Sequence, residues 1–522
     1  MDTLAEPDTT PAPTRLDRRV AALIGVLAVA AALAAGHLVA GVVGPNASPF
    51  LAVGNSAIDL TPSWLKDFAV RTFGSHDKQV LLGGMALTLL LVAIAAGLLS
   101  RASPRPGQAV AAVFGVLGIA AVANRPDLDT VAVLAPLASL VAGVLVFAWL
   151  HRAAAHRLST SDGSDAGAGR REFLRTSSGV VAGVAITGGL GQFLAGRVDV
   201  EGSRASVGPL RPATPAPAIP ASADFSALGT PGFLTENSQF YRVDTAIVVP
   251  RVRAETWTLR LHGMVGRELS FSYADIRNRP LVERTITMTC VSNEVGGPYI
   301  STANFTGVPL RDLVMAANPD PKADQLYSTS VDGWTTGTPL EAILDPERGA
   351  LLAIGMNGEP LPVEHGFPAR LVVPGLYGYV SATKWVTDLE VTTFGSKEFY
   401  WQERGWADKA PIKTQSRIDV PGGFAKVPAG EVVIAGIAWA QHVGIDRVEV
   451  RVDGGPWQDA ELATEVNKQT WRQWKTAFTL QAGSHRAEVR ATDRDGHTQT
   501  DVRVPPIPDG ATGWHSALFT VE

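Results

Sequence analysis

Four stretches of the chain stay apolar for long enough to cross a bilayer, which takes about 20 residues. They are Val20–Val43, Val80–Leu99, Ala109–Ala123 and Val131–Leu150, the third being the shortest. A fifth run, Ser178–Ala195, is rich in glycine and less hydrophobic. A single run of this kind also occurs as a buried core helix. Five in series with short connections predict a helical membrane domain of about five transmembrane helices over residues 1–197. The pattern then changes. Residues 198–224 carry PLRPATPAPAIPAS, a proline density that disfavours helix and central strand and predicts an extended spacer. From 225 to 400 strands mix with short helices. Thr256–Leu261 (TWTLRL) and Thr285–Thr289 (TITMT) alternate as strands do, Leu310–Ala317 (LRDLVMAA) has helical spacing, and Leu371–Val373 is a short strand stopped by Pro374 and Gly375. This predicts an α+β domain. Residues 412–522 are all period-2 runs between turn residues (EVVIAGIAWA, RVEVRVDGG, HRAEVRATDRDG, HSALFTVE), which predicts a β-sandwich of about seven strands.

Charge gives the membrane half a direction. Arg15, Arg18 and Arg19 precede the first span, Arg101 and Arg105 lie between the second and third, and Arg152, Arg157, Arg170, Arg171 and Arg175 lie between the fourth and fifth. The loop after the first span balances Lys66, Arg71 and Lys78 with Asp59, Asp67 and Asp77, and the loop after the third has Arg125. The positive-inside bias puts the N-terminus inside, and five crossings then place the C-terminal half on the extracytoplasmic side of a bacterial cytoplasmic membrane. Residues 169–175, GRREFLR, resemble a twin-arginine export signal at Arg170, Arg171, Phe173 and Leu174, with Gly169 and Arg175 departing from the pattern. That route carries folded proteins. No A-x-A cleavage pattern follows, so the exported half is expected to stay tethered. The net charge of −5 leaves no electrostatic footprint for nucleic acid.

One cysteine, Cys290, occurs in 522 residues, so no intrachain disulfide forms. Free cysteines are commonly small buried hydrophobes. Cys290 instead ends a strand and opens a polar, glycine-rich loop, VSNEVGGPY, of the kind that builds sites. A thiolate is a strong ligand for a transition metal, yet one cysteine without Cys or His at metal spacing cannot make a structural zinc site. Any metal there would take its other ligands from a cofactor. A second group, His365-Gly-Phe-Pro-Ala-Arg370 and onward to Lys384, supplies the cations that bind phosphates, with Gly375 and Gly378 permitting close backbone approach. A third, NSQFYRVD, offers Asn237, Tyr241 and Arg242.

Together these stretches resemble the sulfite oxidase family of molybdopterin enzymes over about Pro231–Glu522. The most specific segments are TCVSNEVGG with STANFTGVPLRDLV, then MNGEPLPVEHGFPARLVVPGLYGYVSATKW. The C-terminal segments AGIAWA, RVEVRVDGGPWQDAEL and DGATGWH resemble the family's immunoglobulin-like dimerisation domain. The resemblance implies a molybdenum–molybdopterin cofactor with Cys290 on the metal. It implies that Ser292, Asn293, His365, Arg370, Ser381 and Lys384 hold the cofactor, with Asn237 and Tyr241 in the family's early pterin-contacting segment. It also implies a small-molecule substrate, a possible homodimer through the C-terminal domain, and two-electron oxygen-atom transfer. The sulfite-oxidising branch places basic residues after the cysteine motif. Here Asn293 is followed by Glu294 and Val295, and Thr336-Gly337 stands where that branch has Tyr-Gly. A carboxylate there would repel sulfite, so another small substrate, sulfur-containing or not, is expected, with S-oxide reduction as an alternative. No haem, flavin or iron–sulfur motif is visible, so a separate electron-transfer protein or a quinone would carry electrons. A non-catalytic exported binding or sensor protein is the rival from another class.

Overall fold

The computed structural model describes residues 15–62, 65, 68, 72–73, 77–125, 128–159, 166–196 and 198–522. The chain forms two compact units, one of residues up to Val198 with Ala246–Val248, the other of Asp199–Thr245 with Val249–Glu522.

The first unit is helical: α1 (Arg18–Val43), α2 (Pro49–Leu60), α3 (Asp77–Leu99), α4 (Arg105–Ala123), α5 (Leu134–Ser159) and α6 (Ala166–Ala195). Among the described residues five helices are long and apolar enough to cross a membrane, spanning Arg18–Val43, Lys78–Leu99, Arg105–Ala123, Thr130–His156 and Phe173–Leu194. Asp17 starts α1 by accepting from Arg19 N at 2.8 Å. α1, α5 and α6 share a core of Ile24, Leu27, Phe147, Leu150, Phe173 and Val180. Phe173 of the Arg-Arg motif thus serves in packing. α1 and α3 approach through small residues. A Cβ on Gly25 would collide with the Ala93 carbonyl, and one on Gly97 with the Ala21 carbonyl. Large apolar side chains face outward, among them Leu91, Leu99, Val113, Leu145 and Ile186. A belt of that kind is compatible with membrane anchoring. α2 lies in a connection that the sequence pattern left as loop, because its twelve residues are too short for a span and Asp59 interrupts the apolar run.

The second unit opens on α7 (Val200–Val207), capped by Asp199 Oδ1, which accepts from Gly202 N at 2.7 Å. The stretch expected as a free spacer is instead laid along this unit. Ala213 N donates to Leu281 O (2.7 Å), Glu283 N to Thr214 O (2.8 Å), and the Ser222 and Thr464 hydroxyls meet at 2.8 Å. Proline removes donors but leaves carbonyls and the intervening N–H groups free to pair.

Ten strands follow: β1 (Thr258–Gly263), β2 (Leu269–Ser272), β3 (Val282–Thr289), β4 (Ile300–Pro309), β5 (Gln325–Ser330), β6 (Thr335–Pro339), β7 (Leu351–Met356), β8 (Glu359–Pro360), β9 (Arg370–Val372) and β10 (Val386–Thr392). They form one sheet ordered β2-β1-β10-β5-β6 and another ordered β3-β4-β7-β8, with β9 paired to β7. β7 is buried along its whole length, which explains its unbroken apolar sequence LLAIGM. Asn357 and Gly358, at φ +50° and +83°, make the two-residue turn from β7 to β8.

The rest is all β: β11 (Gln415–Val420), β12 (Lys426–Val427), β13 (Gly430–Trp439), β14 (Ile445–Val452), β15 (Gln458–Asp459), β16 (Glu461–Leu462), β17 (Arg472–Leu480), β18 (Gly483–Asp493) and β19 (His515–Val521). A sheet ordered β11-β13-β17-β16 and another ordered β12-β19-β18-β14-β15 share one core, including Ile434, Val448, Val450, Trp474, Val489 and Phe519. Three of the nine strands are only two residues long, too short to leave an alternating signature in the sequence.

Candidate functional site

β3 delivers the chain to Cys290. Its inner edge pairs with β4, and its outer edge is closed by the C-terminal part of the unit. Thr287 N donates to Gln469 O (2.9 Å), Trp471 N to Thr287 Oγ1 (2.8 Å), and Asn467 Nδ2 to Thr285 O (3.0 Å). A strand edge that would otherwise be unpaired is thereby covered. After Thr289 the ladder stops and residues 290–299 close on themselves. Cys290 N donates to Tyr299 O (3.0 Å), Asn293 N to Cys290 O (3.0 Å), and Tyr299 N to Asn293 Oδ1 (2.8 Å). Ser292 Oγ lies 2.9 Å from Cys290 Sγ. Cys290 as a whole is half-buried. Burial still pushes its pKa above the ordinary cysteine value, with the Ser292 hydrogen bonds and the charge of Lys384 pulling the other way.

A group of cations sits beside it. His365 ends a short turn after Pro362, and Gly366 (φ +110°) then reverses the chain toward Arg370 on β9. A Cβ on Gly366 would lie 3.1 Å from the Cβ atoms of both Arg370 and Lys384, so only glycine lets the three segments converge. His365 Nε2 donates to Asn237 O at 3.0 Å, and Arg370 Nη1 donates to His365 O at 3.1 Å. Lys384 Nζ lies 3.0 Å from Asp244 Oδ2, which also takes Arg242 Nε at 2.9 Å. Tyr241 is stacked on Phe240, and Phe240 meets the His365 ring edge-on. A Cβ on Gly378 would be 3.8 Å from both Thr289 O and Tyr241 Oη, which links this group to the end of β3.

The electrostatics are those of a crowded positive site. Burial, with Arg370 and Lys384 nearby, holds His365 down at about 4, so it is neutral at pH 7. Burial lowers Lys384 to about 8, outweighing the carboxylate of Asp244, which acts in the opposite direction. Arg370 is only 3% exposed and is lowered to about 10 by burial. It bonds to carbonyl oxygens and lies 5.8 Å from the Phe305 ring; among the described residues no carboxylate pairs with it. Buried cations are ordinarily paired. Tyr241 is pushed up by burial and by Cys290, and among the described residues no protein atom accepts from its hydroxyl.

The other residues expected at the site also bond to the protein itself. Asn237 donates to Glu359 Oε1 (2.5 Å) and accepts from Asn357 Nδ2 (2.9 Å). Asn293 Oδ1 accepts from Tyr299 N, as above. The Ser381 hydroxyl lies 3.1 Å from Leu376 O and 3.0 Å from Tyr377 O. These three hold loops in shape. Glu294 is exposed. Asp244 and Tyr377 were not singled out by the sequence. Asp244 lies within the quoted NSQFYRVD, but its burial against Lys384 has no local signature. Tyr377, buried at the Gly375–Gly378 turn, is shifted upward by burial, with Asp509 and Cys290 adding to the effect.

The oxidoreductase molybdopterin binding domain matches residues 246–400. Mitochondrial sulfite oxidase of Homo sapiens is 32% identical over 348 residues, 56% of this chain and 63% of that protein. Sulfite oxidase of Gallus gallus is 31% identical over 335 residues, 54% of this chain and 72% of its own. The chain belongs to the sulfite oxidase family of molybdopterin-dependent oxidoreductases. It spans less than two thirds of the length of the mammalian relatives. The sulfane dehydrogenase SoxCD of Paracoccus pantotrophus superposes on 58% of this chain and 88% of its own at a TM-score of 0.49 and 21% identity. The donor set fits the family's cofactor. Arg370 is a buried guanidinium with no carboxylate partner among the described residues, Lys384 adds a second cation, and a phosphate there would supply the missing negative charge. A cluster of three or more His, Cys, Asp or Glu able to hold a metal alone does not occur among the described residues.

Proposed function

We propose that this chain is a molybdenum-dependent oxidoreductase in which Cys290 is the protein ligand of the metal and His365, Arg370 and Lys384 hold the phosphate end of the pterin. The observation that carries this reading is the buried Arg370 guanidinium with no carboxylate partner among the described residues, placed with Lys384 beside the half-buried Cys290. When bound, the cofactor supplies two-electron oxygen-atom transfer. The chain's own residues do the rest. Cys290 must lose its proton on ligation, and burial keeps that proton in place beforehand. Ser292 Oγ lies 2.9 Å from the sulfur and would donate to it once the thiolate forms. Neutral His365 donates through Nε2 to Asn237 O, fixing its tautomer and leaving Nδ1 as an acceptor. Asn237, Asn293 and Ser381 position the loops around the cofactor, and Tyr241 holds a phenolic donor toward the thiol side.

The substrate side favours an uncharged, sulfur-containing molecule over the sulfite anion, either an S-oxide being reduced or a thioether being oxidised. Glu294 follows Asn293 where a cation would be needed for sulfite, and the free donor is the neutral Tyr241 hydroxyl. The five apolar helices anchor the chain in a bacterial cytoplasmic membrane, with the catalytic unit outside, as the arginine bias supports. Electrons pass to a separate carrier protein or a quinone. The two C-terminal sheets are consistent with an immunoglobulin-like sandwich through which two copies would pair.

Metal and pterin analysis of the matured full chain tests the reading. Stoichiometric molybdenum is expected in the wild type, with strong loss in Cys290→Ala. Matured wild type free of molybdenum would overturn it and favour a binding or sensor role. Steady-state comparison of sulfite with neutral S-oxides, in wild type and Glu294→Arg, tests the substrate class; efficient sulfite turnover by the wild type refutes it.

A further inference from the structure

Three separate segments of the C-terminal region converge on the Cys290 loop and the strand end that leads into it. From β11, Arg417 Nη1 donates to Gly297 O at 2.9 Å while its Nε is held by Asp419 Oδ1 at 2.7 Å. From the start of β19, the His515 ring lies against Gly296 so closely that a Cβ there would collide with it. Just beyond β13, Gln441 Nε2 donates to Thr289 Oγ1 (3.1 Å) and to Thr287 O (3.4 Å), immediately before the cysteine. Arg417 and Gln441 are both buried. The loop's own ties lie at its base, at Cys290, Asn293 and Tyr299, and in one turn at the tip, where Gly297 N donates to Glu294 O at 2.8 Å; Arg417 and His515 add ties to that glycine tip from outside the loop. Gly296, at φ +81°, and Gly297 are the residues least able to hold a conformation unaided.

We infer that Arg417, with His515 and Gln441, is a positioning set for Cys290. The C-terminal sheets fix the direction in which the thiol points, in addition to any role in pairing two copies. A charge-assisted hydrogen bond to a backbone carbonyl is among the stronger ties a loop receives, and it is made here to the tip rather than the base. The consequence for catalysis rests on Cys290 being the metal ligand; the positioning itself does not.

The test therefore begins with full-length protein produced without molybdenum, in which the thiol is free. Iodoacetamide alkylation of Cys290 and amide hydrogen exchange of residues 290–299 are followed in wild type, Arg417→Ala, Arg417→Lys and Gln441→Met. Arg417→Ala is expected to alkylate about tenfold faster or more, the scale on which a charged hydrogen bond controls local opening. Arg417→Lys, which keeps a donor, should recover most of the protection. Increased exchange should be confined to the loop. In molybdenum-loaded protein, the paramagnetic signal after one-electron reduction should shift in Arg417→Ala, because it reports the orientation of the sulfur. Alkylation of Arg417→Ala and Gln441→Met indistinguishable from wild type overturns the proposal, as does an exchange increase spread evenly over the unit. Should Arg417→Ala not fold, Gln441→Met decides. Absence of molybdenum from matured wild type would sink the functional reading while leaving the thiol result to decide this one.

Discussion

Lys384 Nζ and Asp244 Oδ2 lie 3.0 Å apart with side chains only 11% and 7% exposed. The pair is less symmetrical than it looks. Burial lowers Lys384 more than the carboxylate raises it, so the ammonium is held by a marginal balance. Asp244→Asn removes the partner and leaves a buried cation. The cofactor-free protein should lose about 3 kcal/mol of stability. The loaded protein should lose clearly less, because a bound phosphate can take over the pairing. Thermal unfolding of the two forms checks this, and equal losses would argue against a phosphate at Lys384.

Arg370→Met separates stability from binding. The guanidinium is a buried charge with no carboxylate partner among the described residues, so replacing it by an apolar chain of similar length should leave the cofactor-free protein about as stable as before. Retention of molybdenum and pterin should fall by more than about tenfold, the cost of losing a charged hydrogen-bond partner. Elemental analysis after extended dialysis, set against unfolding curves, provides both numbers.

His515 predicts a pH dependence. Burial, helped by Arg417 and Arg503, holds it at about 4, against an ordinary value of about 6.5. Its Nδ1 accepts from Ile418 N at 3.0 Å, which requires that nitrogen to be unprotonated. The unfolded chain takes up the proton first as pH falls, so it binds more protons than the folded chain between these values. The stability this group contributes is therefore fully present above pH about 6.5 and is lost progressively toward pH about 4. His515→Gln should flatten the fall in unfolding midpoint over that window. An unchanged slope would show that His515 is not a source of the acid sensitivity.

Gly25→Leu should weaken the helical unit, since the added side chain meets the Ala93 carbonyl where α1 crosses α3. Overpacking of this kind costs about 1–3 kcal/mol. Gly83→Leu is the control: a Cβ on Gly83, also in α3, meets nothing within 4 Å. Detergent-resistant folding of the two variants, compared with wild type, should separate them clearly.

Parts of the site were legible in the chain. Cys290 stood out by being alone, and His365, Arg370 and Lys384 by lying in one glycine-punctuated stretch whose turns bring them together. Their local spacing carries the information, because residues within about twenty positions of each other can be placed by turn chemistry. Asn237, Asn293 and Ser381 were visible as polar residues in site loops, but their bonds to Asn357, Tyr299 and the Leu376 carbonyl were not. The spacer reading of 198–224 missed its docking along β3, because proline content forbids ladder donors but says nothing of the carbonyls and the N–H groups between them. α2 has no membrane-length signal because its twelve residues are too few and Asp59 interrupts their apolar run.

The amino-acid order alone determined where apolar runs are long enough for a bilayer, where period-2 runs make strands, and which residue carries the sulfur. Those features depend on spacing along the chain, which the eye and the folding backbone read alike. Only the tertiary structure decided that Arg370 has no carboxylate partner among the described residues, that Asp244 is the counter-ion of Lys384, and that Arg417 reaches the Cys290 loop and Gln441 the strand end before it from 120 and 152 residues away. Contacts at such separation exist only after two sheets have packed and excluded water, so no local pattern encodes them.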